Sequence, residues 1–102
     1  MQLSLIICTY KRAKSLLRLL ESVKLQHRLP DEILIIDGSP DDETANAVKD
    51  FDLKLNYHKV KPDQRGLTKQ RNIGIEHCDK NTDIVAFLDD DTILRPDYFQ
   101  NL

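Results

Sequence analysis

Three consecutive aspartates, Asp89, Asp90 and Asp91, follow an apolar run that ends at Leu88. Adjacent carboxylates repel one another, and a cation or hydrogen bonds must compensate for that repulsion. Mg²⁺ and Mn²⁺ prefer oxygen ligands, and Mg²⁺ usually takes one or two carboxylates together with phosphates and water. An ordinary acidic run more often caps a turn or helix. Because this run directly follows an apolar strand pattern, it predicts a metal-assisted nucleotide-diphosphate site at the carboxyl end of a buried strand.

Further polar residues come at the ends of two other apolar runs. Thr9, Tyr10 and Arg12 follow residues 3–8, and Asp37 follows residues 32–36. Tyr10 is expected either to stack on a base or to cover the sheet edge. Asp37 is expected either to accept hydrogen bonds from a nucleobase imide or to close the turn 37–40, and we favour the base contact. The convergence of these residues on one sheet edge is the main evidence for a site.

Positive charge for phosphates is expected around the loop 62–66. The chain has neither a P-loop nor a GxGxxG fingerprint. Arg65, Lys69 and Arg71 surround the loop and the first turns of the helix that follows, where helix-end amides also attract anions. For Lys69, a solvated position on the helix surface is an equally good interpretation. The three histidines have no metal-ligand spacing, so we assign them no function.

The order of elements explains why these residues should meet. Residues 3–8, 32–36 and 83–88 are continuous apolar runs, which is typical of strands buried on both faces. Helical patterns occupy residues 14–26, 41–50 and 67–77, and alternation over residues 53–57 predicts an edge strand. Gly74 should permit close packing of the third helix on the sheet. The order βαβαβαβ predicts an α/β fold with a Rossmann-like, mostly parallel sheet and flanking helices.

Composition limits the function classes. With 102 residues, 40% of them hydrophobic, the chain has room for a single core over residues 1–102. The formal net charge of -2 gives no footprint for nucleic acid. Because the chain has no signal-peptide pattern and no long apolar run, we expect a cytoplasmic protein. A C-terminal continuation that carries a membrane anchor would place the full-length protein at the inner face of the membrane. Cys8 and Cys78 should be buried thiols in a reducing compartment.

Several ordered motifs extend over the whole chain: Thr9-Tyr10-Lys11-Arg12, Leu20-x-Ser22-x-x-x-Gln26, Asp37-Gly38-Ser39, Arg71-Asn72-x-Gly74, and Asp89-Asp90-Asp91 with Pro96 downstream. Together they resemble the family-2 glycosyltransferases, which have the glycosyltransferase-A fold, and the aspartate run is similar to the family's DxD motif. Ile36 is a departure, because many relatives have an additional aspartate at this position.

The resemblance implies a nucleotide-diphosphate sugar as donor, with a UDP-sugar favoured, and a glycan or lipid-linked acceptor in cell-wall or capsule polysaccharide biosynthesis. It implies that Asp89 and Asp90 share the ribose contact and that Asp91 is the direct ligand of Mg²⁺ or Mn²⁺, with Asp89 as the other metal candidate. By the same resemblance Arg71 lies near the diphosphate or base pocket, and Thr9, Tyr10, Arg12 and Asp37 lie beside the nucleoside.

Sugar transfer of this kind would invert the configuration at the sugar carbon. The resemblance implies that the catalytic base lies beyond Leu102, so residues 1–102 are expected to be the nucleotide-sugar-binding portion of a single glycosyltransferase domain, truncated at the C-terminus. The isolated chain should then bind nucleotide weakly and transfer sugar poorly or not at all.

Two alternatives stay open at this stage. A phosphoacceptor receiver domain shares the sheet and clusters acids around a metal, but it would need acids after the first strand, where this chain has Cys8-Thr9-Tyr10. A non-catalytic nucleotide-binding or self-associating fragment is the stronger rival. An incomplete sheet leaves an edge through which a homo-oligomer can form.

Overall fold

The computed structural model describes residues 1–101, which form a four-stranded sheet with helices on both faces. The strands are all parallel and lie in the order β3-β2-β1-β4. The predicted α/β fold and its alternation of strands and helices are confirmed. In chain order the elements are β1 (Leu3–Thr9), α1 (Ala13–Lys24), β2 (Glu32–Asp37), α2 (Glu43–Val48), β3 (Asn56–Lys59), a 3₁₀ turn (Pro62–Gln64), α3 (Leu67–His77) and β4 (Ile84–Asp89).

The two central strands are buried on both faces, as their continuous apolar runs predict. On one face, Leu5 and Ile7 pack in the larger core cluster together with the apolar stripe of α1. On the other face, Ile6 and Ile36 pack against α3. A Cβ added at Gly74 would lie 2.6 Å from Cγ2 of Ile6. The prediction that Gly74 permits close packing of α3 on the sheet is therefore confirmed.

Strand β4 is an edge strand in the described part of the chain, which corrects the prediction of a fully buried strand. Its ladder partner is β1, and the Phe87 side chain is 37% exposed. Ile84 and Leu88 pack against the larger core cluster, whereas Val85 packs against the smaller one. An apolar run reports contact on both faces of a strand. It carries no information on whether a neighbouring strand lies beside it.

Other boundaries also differ from the sequence-based expectation: α1 ends at Lys24 rather than residue 26, and α2 ends at Val48 rather than residue 50. Helix α2 begins at Glu43 rather than residue 41, because Asp41 precedes the helix and its Oδ1 accepts the Glu43 N–H at 3.2 Å. Strand β3 begins at Asn56 rather than residue 53, since Leu53 and Leu55 pack against the core outside the ladder. The edge position of β3 and the bounds of α3 are as predicted.

After β4 the chain runs back along α1. Phe99 in this segment is fully buried in the larger core cluster, so the segment is part of the packed unit. None of the helices in residues 1–101 has both the length and the apolar character needed to cross a membrane.

Candidate functional site

The carboxyl ends of β1, β2 and β4 lie side by side and bring the predicted polar residues together. Thr9 is the ladder partner of Asp37, and Cys8 is the ladder partner of Asp89. The Thr9 hydroxyl donates a hydrogen bond to Oδ2 of Asp90 at 2.9 Å, with both residues buried. This bond joins two segments that are 81 residues apart in the sequence. The end of β1 and the aspartate run therefore form one site.

Asp90 is the buried member of the aspartate run, whereas Asp89 and Asp91 are exposed. Burial raises the pKa of Asp90, the Thr9 hydrogen bond and the Arg12 charge oppose this rise, and the neighbouring carboxylates add to it. The three aspartates therefore have different surroundings. Asp90 is fixed by Thr9, and its two neighbours are open to solvent or a ligand.

A cleft of about 630 Å³ opens beside the Thr9–Asp90 bond. Tyr10 is 48% exposed, so its ring is available to a flat ligand. The amino-terminal end of α3 also contributes to the cleft, and the free amides of a helix start attract negative charge. The residues that line the cleft are Cys8, Thr9, Tyr10, Arg12, Arg65, Gly66, Leu67, Gln70 and Asp90.

Gln70 fixes the start of α3 to the sheet, a role that the sequence-based reasoning missed. Its Nε2 donates to the carbonyl oxygen of Ile36 at 2.9 Å and to that of Thr9 at 3.3 Å. Its Oε1 accepts the Gly66 N–H at 3.1 Å. A signal was present, because Gln70 is the polar member of the helical stripe that continues with residues 73 and 74.

Arg65 brings positive charge to the cleft. Its Nε is buried and makes no hydrogen bond within residues 1–101, so it is a donor without an acceptor. Such a buried donor is costly unless a partner accepts from it. Lys69 differs, because it is exposed and its Nζ donates to the carbonyl oxygen of Asp63 at 3.0 Å. Of these two cations, Arg65 is the one that a ligand in the cleft would meet.

Asp37 is fully buried, and both of its carboxylate oxygens are already engaged. Oδ1 accepts the backbone N–H of Ser39 at 2.9 Å, and Oδ2 accepts the Tyr57 hydroxyl at 2.5 Å. Ser39 Oγ in turn accepts the N–H of Lys11, which has a φ of 54°. This geometry supports the turn-closing role of Asp37, and the base contact that we favoured from the sequence stays a prediction.

Arg71 packs against strand β4. Its guanidinium stacks over the Phe87 ring at 5.3 Å from the ring centroid, within the range of a cation–π interaction. It is not among the residues that line the cleft. The structure therefore shows Arg71 in contact with the exposed face of β4, and its contact with a diphosphate or base stays a prediction.

The aspartate run fits a divalent cation that is shared with other ligands, but not one held by protein side chains alone. Within residues 1–101, no group of three or more Asp, Glu, His or Cys side chains is arranged to hold a metal ion. The exposed carboxylates of Asp89 and Asp91 are hard oxygen donors on either side of a fixed, buried Asp90. This donor set fits a site in which one or two carboxylates share the ion with phosphate oxygens and water, as Mg²⁺ commonly requires.

Solved structures with similar folds include complexes with nucleotide sugars. The chain superimposes on residues of S. aureus TarS in complex with UDP-GlcNAc with a TM-score of 0.83 at 24% identity, covering 99% of this chain and 30% of that one. The mannosyltransferase PcManGT from Pyrobaculum calidifontis, in complex with GDP-Man and Mn²⁺, gives a TM-score of 0.84 at 24% identity over 98% of this chain and 30% of that one. At this identity the likeness establishes the fold.

Curated relatives and a family model extend the likeness to sequence. An uncharacterised glycosyltransferase of Haemophilus influenzae is 42% identical over 82 residues, which is 78% of this chain and 30% of the relative. A glucosyl-dolichyl phosphate glucuronosyltransferase of Haloferax volcanii is 30% identical over 100% of this chain and 33% of its own length. The chain thus spans about a third of these relatives. Since the model of glycosyl transferase family 2 matches residues 4–102, the chain belongs to that family.

Proposed function

We propose that the chain supplies the donor site of an inverting, metal-assisted glycosyltransferase that uses a nucleotide-diphosphate sugar, with a UDP-sugar favoured. The observation that carries this proposal is the buried Thr9–Asp90 hydrogen bond beside a cleft lined by Tyr10 and Arg65. An aromatic face, a fixed carboxylate and a buried cationic donor match the base, the ribose and the phosphates of a nucleoside diphosphate.

Each of these groups would make one kind of contact. Tyr10 would stack on the base, because its half-exposed ring lies at the cleft. Asp90, held at Oδ2 by Thr9, would accept a ribose hydroxyl at Oδ1. Arg65 would donate its unpartnered Nε–H to a base carbonyl or a phosphate oxygen. Arg12 would add positive charge beside the nucleoside.

Asp91, with Asp89 as the other candidate ligand, would hold Mg²⁺ or Mn²⁺. When bound, the ion would supply Lewis-acid stabilisation of the negative charge on the departing nucleoside diphosphate. The chain itself would hold the nucleoside through Tyr10 and Asp90, so that the diphosphate extends toward the two exposed acids. A carboxylate base would take the proton from the acceptor hydroxyl, and attack opposite the leaving group would invert the sugar carbon. We assign that base to the part of the relatives that this chain does not span.

The nature of the donor and acceptor is supported by the printed descriptions of similar proteins. TarS is described in complex with UDP-GlcNAc, and PcManGT with GDP-Man and Mn²⁺. The Haloferax volcanii relative is described as acting on a glucosyl-dolichyl phosphate, which is consistent with a lipid-linked acceptor. We propose a glycan or lipid-linked acceptor, in cell-wall or capsule polysaccharide synthesis, and a protein that works in the cytoplasm at the inner face of the membrane.

Nucleotide binding at the cleft can be tested by NMR with UDP, GDP and dTDP in the presence of Mg²⁺. The amide resonances of residues 9–12 and 66–70 should shift on binding. The amide resonances of Asp31 and Asp79, which lie away from the cleft, should not shift. Tyr10→Ala should weaken binding by roughly 5-fold to 150-fold, the range expected for loss of about 1–3 kcal/mol of stacking. Tyr98→Ala is the matched control, because Tyr98 is also a part-exposed aromatic residue but lies outside the cleft. Equal effects of the two substitutions would contradict the proposal.

A second function, a self-associating fragment without catalysis, is favoured by one observation. In the described residues, β4 has its outer edge free of a ladder partner and exposes Phe87. Free strand edges pair with other chains. Sedimentation of the purified chain with and without Mn²⁺ and UDP separates the two functions. A dimer that forms regardless of ligand, together with no nucleotide-induced shifts, would favour the fragment and not the donor site.

A further inference from the structure

Two buried polar side chains near the end of α1 have no part in the donor site described above. Ser22 is 8% exposed and Gln26 is 7% exposed. Both belong to the motif Leu20-x-Ser22-x-x-x-Gln26. A serine and a glutamine in a buried position must be hydrogen-bonded to be tolerated, so their partners indicate what they are for.

Their partners lie in the segment that follows the aspartate run. Gln26 donates from Nε2 to the carbonyl oxygen of Arg95 at 2.5 Å and accepts the Phe99 N–H at Oε1 at 3.1 Å. Ser22 Oγ accepts the Leu94 N–H at 3.2 Å, and the backbone N–H of His27 donates to the Pro96 carbonyl oxygen at 2.8 Å. These four hydrogen bonds, which we call the α1 clamp, fix the backbone of residues 94–99.

The α1 clamp holds the far end of the turn that presents the aspartates. The near end is held by the β1–β4 ladder, which pairs Cys8 with Asp89. Within the turn, the Thr92 N–H donates to the Asp89 carbonyl oxygen at 3.1 Å. Asp91 is exposed, in contrast to the buried Asp90, so its direction depends on where the chain goes next. The clamp begins only three positions later, at Leu94.

We propose that Ser22 and Gln26 are positioning residues of the metal-binding turn: through the α1 clamp they fix the backbone after Asp91 and thereby aim its carboxylate. This inference rests on the proposed donor site and extends it to residues that touch neither nucleotide nor metal. Residues that orient metal ligands from outside typically change metal affinity by about 10-fold to 100-fold when they are replaced. Loss of the α1 clamp should therefore weaken nucleotide binding in the presence of metal and leave metal-free binding nearly unchanged.

The test compares Gln26→Leu and Ser22→Ala with two controls. Leucine removes both clamp hydrogen bonds of Gln26, whereas Ser22→Ala removes from the clamp only the acceptor of the Leu94 N–H, so it should have a smaller effect. His27→Ala keeps the backbone N–H of the clamp and removes only an exposed side-chain contact with Gln100. Val48→Ala loosens the core in α2, far along the chain from the clamp, and reports general destabilisation.

Two measurements decide the matter. In Gln26→Leu, the Mn²⁺ concentration that half-saturates UDP binding should rise by about 10-fold or more, while UDP affinity without metal stays within about twofold. The Thr92 amide, which Gln26 does not contact, should exchange its hydrogen faster in Gln26→Leu than in the wild type, His27→Ala or Val48→Ala. Unchanged Thr92 exchange together with an unchanged Mn²⁺ requirement would overturn the inference.

The proposed function and the inference fail in different ways. If the wild-type chain does not bind UDP with Mn²⁺, the donor-site proposal fails, and Thr92 exchange alone still decides whether the clamp orders the turn. If the wild type binds UDP with Mn²⁺ but Gln26→Leu and Val48→Ala behave alike in both measurements, the donor site stands and the positioning role is refuted. Should Gln26→Leu fail to fold, Ser22→Ala decides by the same two measurements.

Discussion

The close contact between Gly74 and Ile6 predicts how much stability the protein loses in Gly74→Ala. In Gly74→Ala the new Cβ would lie 2.6 Å from Cγ2 and 3.1 Å from Cδ1 of Ile6. Carbon atoms in contact prefer about 3.5–4.0 Å, and a β-branched side chain in a central strand has little freedom to move away. Over-packing of this kind costs about 1–3 kcal/mol, and the higher helix propensity of alanine returns about 1 kcal/mol. Because 2.6 Å is far inside the preferred distance, we take the upper part of the over-packing range, about 2–3 kcal/mol, and expect the free energy of unfolding to fall by about 1–2 kcal/mol.

Urea denaturation followed by circular dichroism measures this change, and each 1 kcal/mol should lower Tm by roughly 4–8 °C in a domain of this size. Glu76→Ala, at an exposed position in the same helix, is the control and should change stability by less than about 0.5 kcal/mol. In an Ile6→Ala background the two close methyl groups are gone, so Gly74→Ala should no longer destabilise. A Gly74→Ala protein as stable as the wild type would refute the close approach of α3 to the sheet.

Three further predictions concern part-buried groups that titrate or form hydrogen bonds. Burial raises the pKa of Cys8 from 9.0 to about 11. In Cys78→Ser, alkylation of Cys8 at pH 7.5 should therefore be about 100-fold slower than in the urea-unfolded chain, and it should accelerate with pH up to about 11. Equal rates in the folded and unfolded chains would contradict the burial of Cys8. Tyr57→Phe removes a hydrogen bond to a buried carboxylate and should cost about 1.5–3 kcal/mol of unfolding free energy by urea denaturation, and no loss would refute the bond. Burial lowers the pKa of His58. The contribution of His58 to stability is therefore full above about pH 6.5 and is lost as the pH falls through the lowered pKa. His58→Phe should flatten the decline of Tm below pH 6.5, and an unchanged slope would contradict this prediction.

Much of the fold was predictable because its signals are local. The apolar runs of β1 and β2 are buried as expected, and the helical pattern over residues 67–77 matches α3. Parallel strands joined by helices put their carboxyl ends on one edge, which is why Thr9 and Asp90 meet. The exposed edge of β4 was not predictable, since the number of strand neighbours depends on chain segments that an apolar run does not describe.

The contacts of individual site residues were not predictable where a side chain had a choice of partners across the fold. Asp37 is engaged by the Tyr57 hydroxyl, which reaches it from the neighbouring strand β3. Arg71 stacks on Phe87 because α3 packs on the sheet face that carries Ile6, the ladder partner of Phe87. Both contacts join residues that are at least 16 positions apart in the sequence. Motif membership placed these residues near the site, but only the packing distinguishes a ligand contact from a supporting one.

The central claim is a metal-dependent nucleotide site at the aspartate run, and calorimetry tests it most directly. UDP, GDP and dTDP should be titrated into the wild-type chain and into Asp91→Ala, with and without Mn²⁺. We predict that the wild type binds a nucleoside diphosphate more tightly with Mn²⁺ and that Asp91→Ala loses this gain while it keeps the metal-free affinity. Binding that is equally tight without metal and in Asp91→Ala would contradict the account.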